Sequence, residues 1–196
     1  MRRDEARRVR LWDPALRLFH WLLAVLVVTN WLLGKFGPSI MTVHFWIGYA
    51  ILGLLAFRLV WGIVGPEHAR FVNFLRGPRA VMAYLRHLPD RNPSNWPGHN
   101  PMGALSVVAM LGVLIWQAGS GLVIDPEDFV NIGPLADAAG PEISRAAVGW
   151  HSLGADLVLI LVVLHVAVIL FYRVWKNEDL VRPMVTGWKW VRRTDK

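Results

Sequence analysis

The 196-residue chain contains no cysteine, and only 18% of its residues are charged. Without cysteine there is no disulfide, no thiolate-held zinc, no iron–sulfur cluster and no thiol nucleophile. The motif for covalent haem attachment is excluded with them. So little charge beside 55% hydrophobic residues fits neither a disordered tail nor an ordinary soluble domain. Internal repeats and low-complexity segments are also missing, and the length suits one compact domain over residues 1–196.

What is present is apolar length. Four runs reach the roughly 20 residues that about 30 Å of hydrocarbon requires. They extend roughly from Leu16 to Gly34, Val43 to Val64, Met102 to Ile124 and Val148 to Tyr172. The first run is too long for a removable signal peptide, and Trp21 and Trp31 sit where interfacial aromatics belong. The net charge of +7 does not point to nucleic acid, because the basic residues lie between the apolar runs. The partner is a lipid bilayer.

Lys and Arg placement sets the orientation. Arg2, Arg3, Arg7, Arg8, Arg10 and Arg17 precede or open the first run, and Arg70, Arg76, Arg79, Arg86 and Arg91 join the second to the third. The tail adds Arg173, Lys176, Arg182, Lys189, Arg192, Arg193 and Lys196, whereas the other two connections hold only Lys35 and Arg145. The positive-inside rule puts both termini (1–12 and 174–196) and the middle loop in the cytoplasm. Asp125, Glu127, Asp128, Asp137 and Glu142 make the opposite side acidic. Short connections favour an antiparallel four-helix bundle, all-α and integral to the membrane. Pro78 to Leu88, with Val81, Tyr84, Leu85 and Leu88 on one face, reads as a short interfacial helix in the cytoplasmic loop. The C-terminal tail around Trp188 and Trp190 reads the same way.

Ionisable residues inside a span need a reason. His20, His44, Arg58, His151, Asp156 and His165 are the ones here. His151 and His165 are 14 residues apart. That is about 21 Å of helix and only about 40° short of four full turns, so both imidazoles share a face at two depths. His44 matches the level of His151, and His20 that of His165. Two bis-histidine sites, stacked across the bilayer, satisfy this geometry. Each level offers two histidines without thiols or nearby carboxylates, too few for zinc or copper. A haem supplies four nitrogens itself and needs only two imidazoles, so the expected cofactors are two non-covalent haems.

Gly48, four residues after His44, leaves room for such a flat ring, as do Gly119, Gly121 and Gly154. Plain helix packing is the alternative for these glycines. Phe19, Trp21, Phe45 and Trp46 flank the histidines and are candidates to pack on the macrocycle. Arg58, 14 residues after His44, faces a haem propionate or snorkels to lipid phosphate, and Arg17 has the same choice beside His20. Asn30, Gln117 and Ser120 read as interhelical hydrogen-bonding groups, and His68, His87 and His99 as surface residues.

These stretches carry a resemblance. WDPALRLFHW, VHFWIGYAILGLLAFRLVWG, RFVNFLRGPRAVMAYL, GHNPMGALSVVAML and VGWHSLGADLVLILVVLHVAVILFYR are similar to the bacterial cytochrome b-561 family, which includes the b-type cytochrome subunits of nickel–iron hydrogenases. The similarity runs from about Val9 to Trp190. It implies a four-helix inner-membrane cytochrome with two haem b groups, one on His20 and His165 and one on His44 and His151. It also implies electron exchange between quinone or quinol and a soluble or membrane redox protein, or superoxide oxidation. The residues alone leave two other readings open: a haem-free ion or proton transporter using its intramembrane histidines, and a membrane anchor of a redox complex. Neither the residues nor the resemblance fixes the oligomeric state.

Overall fold

In hydrocarbon each backbone N–H and C=O must be satisfied within its own segment, so an apolar run of spanning length coils into a helix. The computed structural model describes residues 6–192 other than 94, 95 and 97. In chain order its elements are β1 (Ala6–Arg10), α1 (Pro14–Phe36), α2 (Thr42–Val64), α3 (Phe71–Phe74), α4 (Pro78–Arg86), α5 (Pro101–Val123), α6 (Ala136–Ala139), α7 (Pro141–Trp175), α8 (Val181–Thr186) and β2 (Trp188–Arg192). The fold is all-α apart from one two-stranded ribbon, and α1, α2, α5 and α7 are each long and apolar enough to cross a membrane. Many of their large apolar side chains, Val25, Ile63, Ile160 and Val163 among them, are exposed. A solvent of lipid tails explains that surface; water does not.

The first three long helices match the expected runs to within two residues. The fourth starts seven residues before Val148, at Pro141. Proline suits a first helical position because no N–H is needed there, and Glu142 complements the helix dipole in the first turn. Ser144 Oγ donates to Ala136 O at 2.9 Å and fastens this end to α6. These first turns are polar or small-residue, so hydropathy does not register them. Arg2, Arg3, Arg193 and Lys196, counted for orientation, lie outside the described residues.

The chain divides into two compact units. One comprises residues 20–57 and 109–162. It contains the larger part of each of the four long helices, with Val27, Ile51, Leu55, Leu114 and Val158 buried. Trp31 Nε1 donates to Ala155 O at 3.1 Å and Trp116 Nε1 to Trp150 O at 3.2 Å, tying α1 and α5 to α7. Asp156, an apparent intramembrane acid, pairs with Lys35 at 3.2 Å and is more than half exposed. Two loops are clamped by Asn131: Met41 N–H donates to its Oδ1 at 2.9 Å, and its Nδ2 donates to Ser39 O at 2.8 Å. Asp128 in turn accepts from Asn131 N–H (2.7 Å), Asn131 Nδ2 (2.6 Å) and Val130 N–H (3.0 Å).

The other unit holds the described parts of residues 1–19, 58–108 and 163–196. Its α4 ends two residues short of the expected Leu88, and Tyr84 Oη lies 2.5 Å from Tyr172 Oη of α7. Asn100 Nδ2 also donates to Tyr172 Oη, at 3.0 Å. The tail forms α8 as a short helix, but Trp188 and Trp190 lie in a strand. β1 and β2 pair antiparallel from Ala6↔Arg192 to Arg10↔Trp188. Gly187 makes the turn between α8 and β2 at φ +85, and a Cβ there would sit 2.8 Å from Trp12 O. Only glycine fits that turn.

His99 departs from the expected surface role. Its ring packs between Trp12 and Phe74, with centroids 4.6 Å from each. Both neighbours are distant in sequence, so the loop composition gave no sign of the sandwich. His87 does lie at the surface, 3.3 Å from Asp90.

Candidate functional site

Two helical carbonyls position two histidines. His44, in the first turn of α2, donates through Nδ1 to Asn30 O of α1 at 3.1 Å. A helical carbonyl has a second lone pair, but side chains one turn on usually block it. Here the residue four positions on is Gly34, where a Cβ would lie 3.2 Å from His44 Cε1. His151 of α7 repeats the device. Its Nδ1 donates to Gln117 O of α5 at 3.0 Å, and the residue four positions on is Gly121, where a Cβ would meet His151 Cε1 at 3.0 Å. Each imidazole thus rests on a carbonyl exposed by a glycine, so Nδ1 carries the proton and Nε2 presents a lone pair.

Further groups hold His151. Ser120 Oγ lies 3.2 Å from its Nδ1 and donates to Gln117 O at 3.0 Å, while Gln117 Nε2 donates to its Nε2 at 3.2 Å. Gln117 and Ser120 are interhelical hydrogen-bonding groups, as the sequence indicated; from Asn30 it is the backbone carbonyl that acts.

The rings of His44 and His151 are 6.0 Å apart between centroids, with planes at 78°. Two imidazoles on opposite sides of one metal ion, with bonds of about 2 Å and ring centres roughly 1 Å beyond the nitrogens, are spaced by about 6 Å. Both histidines line a cavity of about 400 Å³ walled mostly by apolar side chains. That is the size and character of a small-molecule site. Gly48 lines it too, and a Cβ there would have only Asn30 Nδ2 nearby, at 4.0 Å. Asn30 Oδ1 and Gln117 Oε1, in two wall residues, are buried without a hydrogen-bond partner among the described residues. This donor set, two imidazoles 6.0 Å apart on a mostly apolar cavity, fits a haem. Among the described residues no three His, Asp or Glu side chains gather as a metal-binding group.

The other expected positions fall differently. Phe45 lines the cavity, but Trp46 is largely exposed. Gly154 is filled by Gln117, whose Oε1 would lie 2.1 Å from a Cβ there, so it serves helix packing. His20 is half-buried in the same unit as His44, edge-on to Trp21 at 5.1 Å; His165 is half-buried on α7 in the other unit. Arg58, in that second unit, is 2% exposed, with its guanidinium 4.5 Å from the Phe71 ring centre. Its Nη1 and Nη2 have no hydrogen-bond partner among the described residues. Arg17 donates through Nη1 to Val185 O in the tail, and its Nε is buried without a hydrogen-bond partner among the described residues.

Comparison with known proteins gives the family. A family model described as prokaryotic cytochrome b561 matches residues 11–187. The chain is 26% identical over 214 residues to a "Probable Ni/Fe-hydrogenase B-type cytochrome subunit" of Azotobacter vinelandii, covering 92% of this chain and 88% of that one. A protein of the same name from Rhizobium leguminosarum bv. viciae is 23% identical over 218 residues, covering 93% and 89%. No solved structure matches the chain. With four apolar helices and nearly its whole length inside the family model, the chain belongs to the prokaryotic cytochrome b561 family, membrane b-type cytochromes that carry haem b and serve electron transfer.

Proposed function

We propose that the chain holds two b haems, each between two histidines, and passes electrons across a bacterial inner membrane between a quinone pool and a redox partner. His44 and His151 hold one haem, and His20 and His165 the other. The observation that carries this reading is the His44–His151 pair, 6.0 Å apart with each Nδ1 on a backbone carbonyl. For the second pair the support is helical arithmetic: α7 is unbroken from Pro141 to Trp175, so His165 lies 14 residues, or about 21 Å of helix, beyond His151.

A haem held by these histidines would supply a one-electron iron couple. The chain's own residues do the rest. Asn30 and Gln117 fix the tautomer and aim of two imidazoles through their carbonyls, which also makes the imidazoles more basic ligands. Gly48 leaves the slot open on one side. Arg58 offers two unpartnered N–H edges, and Arg17 its Nε, to carboxylates such as haem propionates. Apolar walls keep water away, so little solvent must reorganise when charge moves.

The positive-inside count supports cytoplasmic N- and C-termini. The relatives' names support a membrane redox enzyme of the nickel–iron hydrogenase type as the partner. The test is spectroscopic. Purified protein should show b-type reduced-minus-oxidised bands and two haems per chain by pyridine haemochrome. One haem per chain, or none, rejects the two-site reading.

A further inference from the structure

The connection between α2 and α5 joins two membrane-crossing helices, so it lies at a membrane surface. From Ala69 to Pro89 it has four arginines and no acidic residue. Within it, α4 has one face turned inward by the contact between Tyr84 Oη and Tyr172 Oη at 2.5 Å. Val81 and Leu85, on the Tyr84 side, are half-buried. The opposite stripe is Arg79, Met82, Ala83 and Arg86, spaced i, i+3, i+4, i+7, and all four are exposed. These residues line a shallow groove of about 380 Å³. Its floor is apolar, with Met82 56% exposed, and an arginine stands at each end, about 10 Å apart along the axis. Among the described residues neither arginine forms an ion pair with an acid.

We infer that this groove binds the phosphate headgroup of an anionic phospholipid, with Arg79 and Arg86 on the phosphate and the glycerol and upper acyl chain over Met82 and Ala83. Charge complementarity selects the ligand: two guanidinium forks suit phosphate oxygens, and the apolar floor between them suits the lipid's body. Exposed Val72 and Leu75, preceding α4, extend the apolar surface that a lipid would cover. A basic nucleic-acid site has no use for an apolar floor at the membrane surface.

The test uses the full-length protein in detergent, equilibrated with mixed micelles of phosphatidylglycerol and phosphatidylcholine and washed, with retained lipid quantified. Wild type should retain phosphatidylglycerol several-fold over phosphatidylcholine. R79Q/R86Q should abolish that preference with haem bands unchanged, whereas R182Q in the tail should keep it. Should the double variant lose its bands, wild type in 1 M salt is the second measurement, and phosphatidylglycerol retention should fall there by screening. Equal retention of both lipids overturns the proposal, as does a preference that survives the double variant or high salt. Displacement of phosphatidylglycerol by millimolar inorganic phosphate overturns it too, because the site would then be one for a free anion.

Discussion

At the scale of single residues, two glycines of α5 make a matched pair. A Cβ on Gly121 would press on His151 Cε1 at 3.0 Å, whereas a Cβ on Gly119 would meet nothing within 4 Å. Gly121→Ala should therefore displace the His151 ring, lowering haem content or shifting one midpoint potential, while Gly119→Ala leaves both unchanged. Haemochrome assay and redox titration read the difference. Arg58 allows a second prediction. A buried cation stabilises the reduced, more negative state of a neighbouring haem, so Arg58→Leu should lower one midpoint by about 60 mV, a tenfold change for one electron. An unchanged pair of midpoints would remove Arg58 from the cofactor's surroundings. The histidines were legible in the sequence because spans seldom tolerate ionisable groups. Their supports were less so: Asn30 with Gly34 and Gln117 with Gly121 are ordinary pairs until a ring rests on the carbonyl between them. Which way Arg17 leans was also hidden, since Val185 lies 168 positions away.

At the scale of elements, the Asn131 clamp is the feature most open to experiment. Asn131 links the Ser39–Met41 turn to the loop after α5, and both Asn131 and Asp128 line the His44–His151 cavity. Asn131→Ala should cost about 1 kcal/mol of local stability and raise hydrogen exchange in both loops, with the long helices unaffected. The clamp also has a pH dependence. Backbone N–H groups of Asn131 and Val130, with the Asn131 amide, hold the Asp128 carboxyl below its ordinary 3.8. A carboxylate depressed in this way contributes while ionised, so the clamp stays closed above about pH 4 and loosens only as pH falls through the shifted value. Loop protection that decays already between pH 7 and 5 would contradict that sign. Hydropathy marked α1, α2 and α5 almost to the residue because lipid imposes one length. It missed the first two turns of α7, where Pro141 after Gly140 was the available signal. The β1–β2 ribbon was out of reach, since neither five-residue strand is legible until its partner, some 180 positions off, is known.

At the scale of the whole molecule, the proposed function rests on two histidine couples that share one helix, α7. If each histidine couple serves its own haem, damage should stay local. His44→Ala and His151→Ala should each remove the same haem and leave the other's absorbance, and His20→Ala and His165→Ala should each remove the second. Loss of both haems from every variant would mean that the couples are not independent. Depth matching brought His44 and His151 to one level from sequence alone, because helix rise turns residue number into height, and their rings do meet at 6.0 Å. Partner identity was not readable in that way, since helical spacing says nothing about a second protein.

The ribbon sets an order of assembly. Val9 pairs with Lys189, so β1 emerges from the ribosome 180 residues before the strand that completes it. Until translation has passed the last membrane-crossing helix, β1 has no complement and the buried turn at Gly187 does not exist. Closure of this strand pair is therefore a late event in biogenesis, available only to a polypeptide whose four hydrophobic segments have all been synthesised.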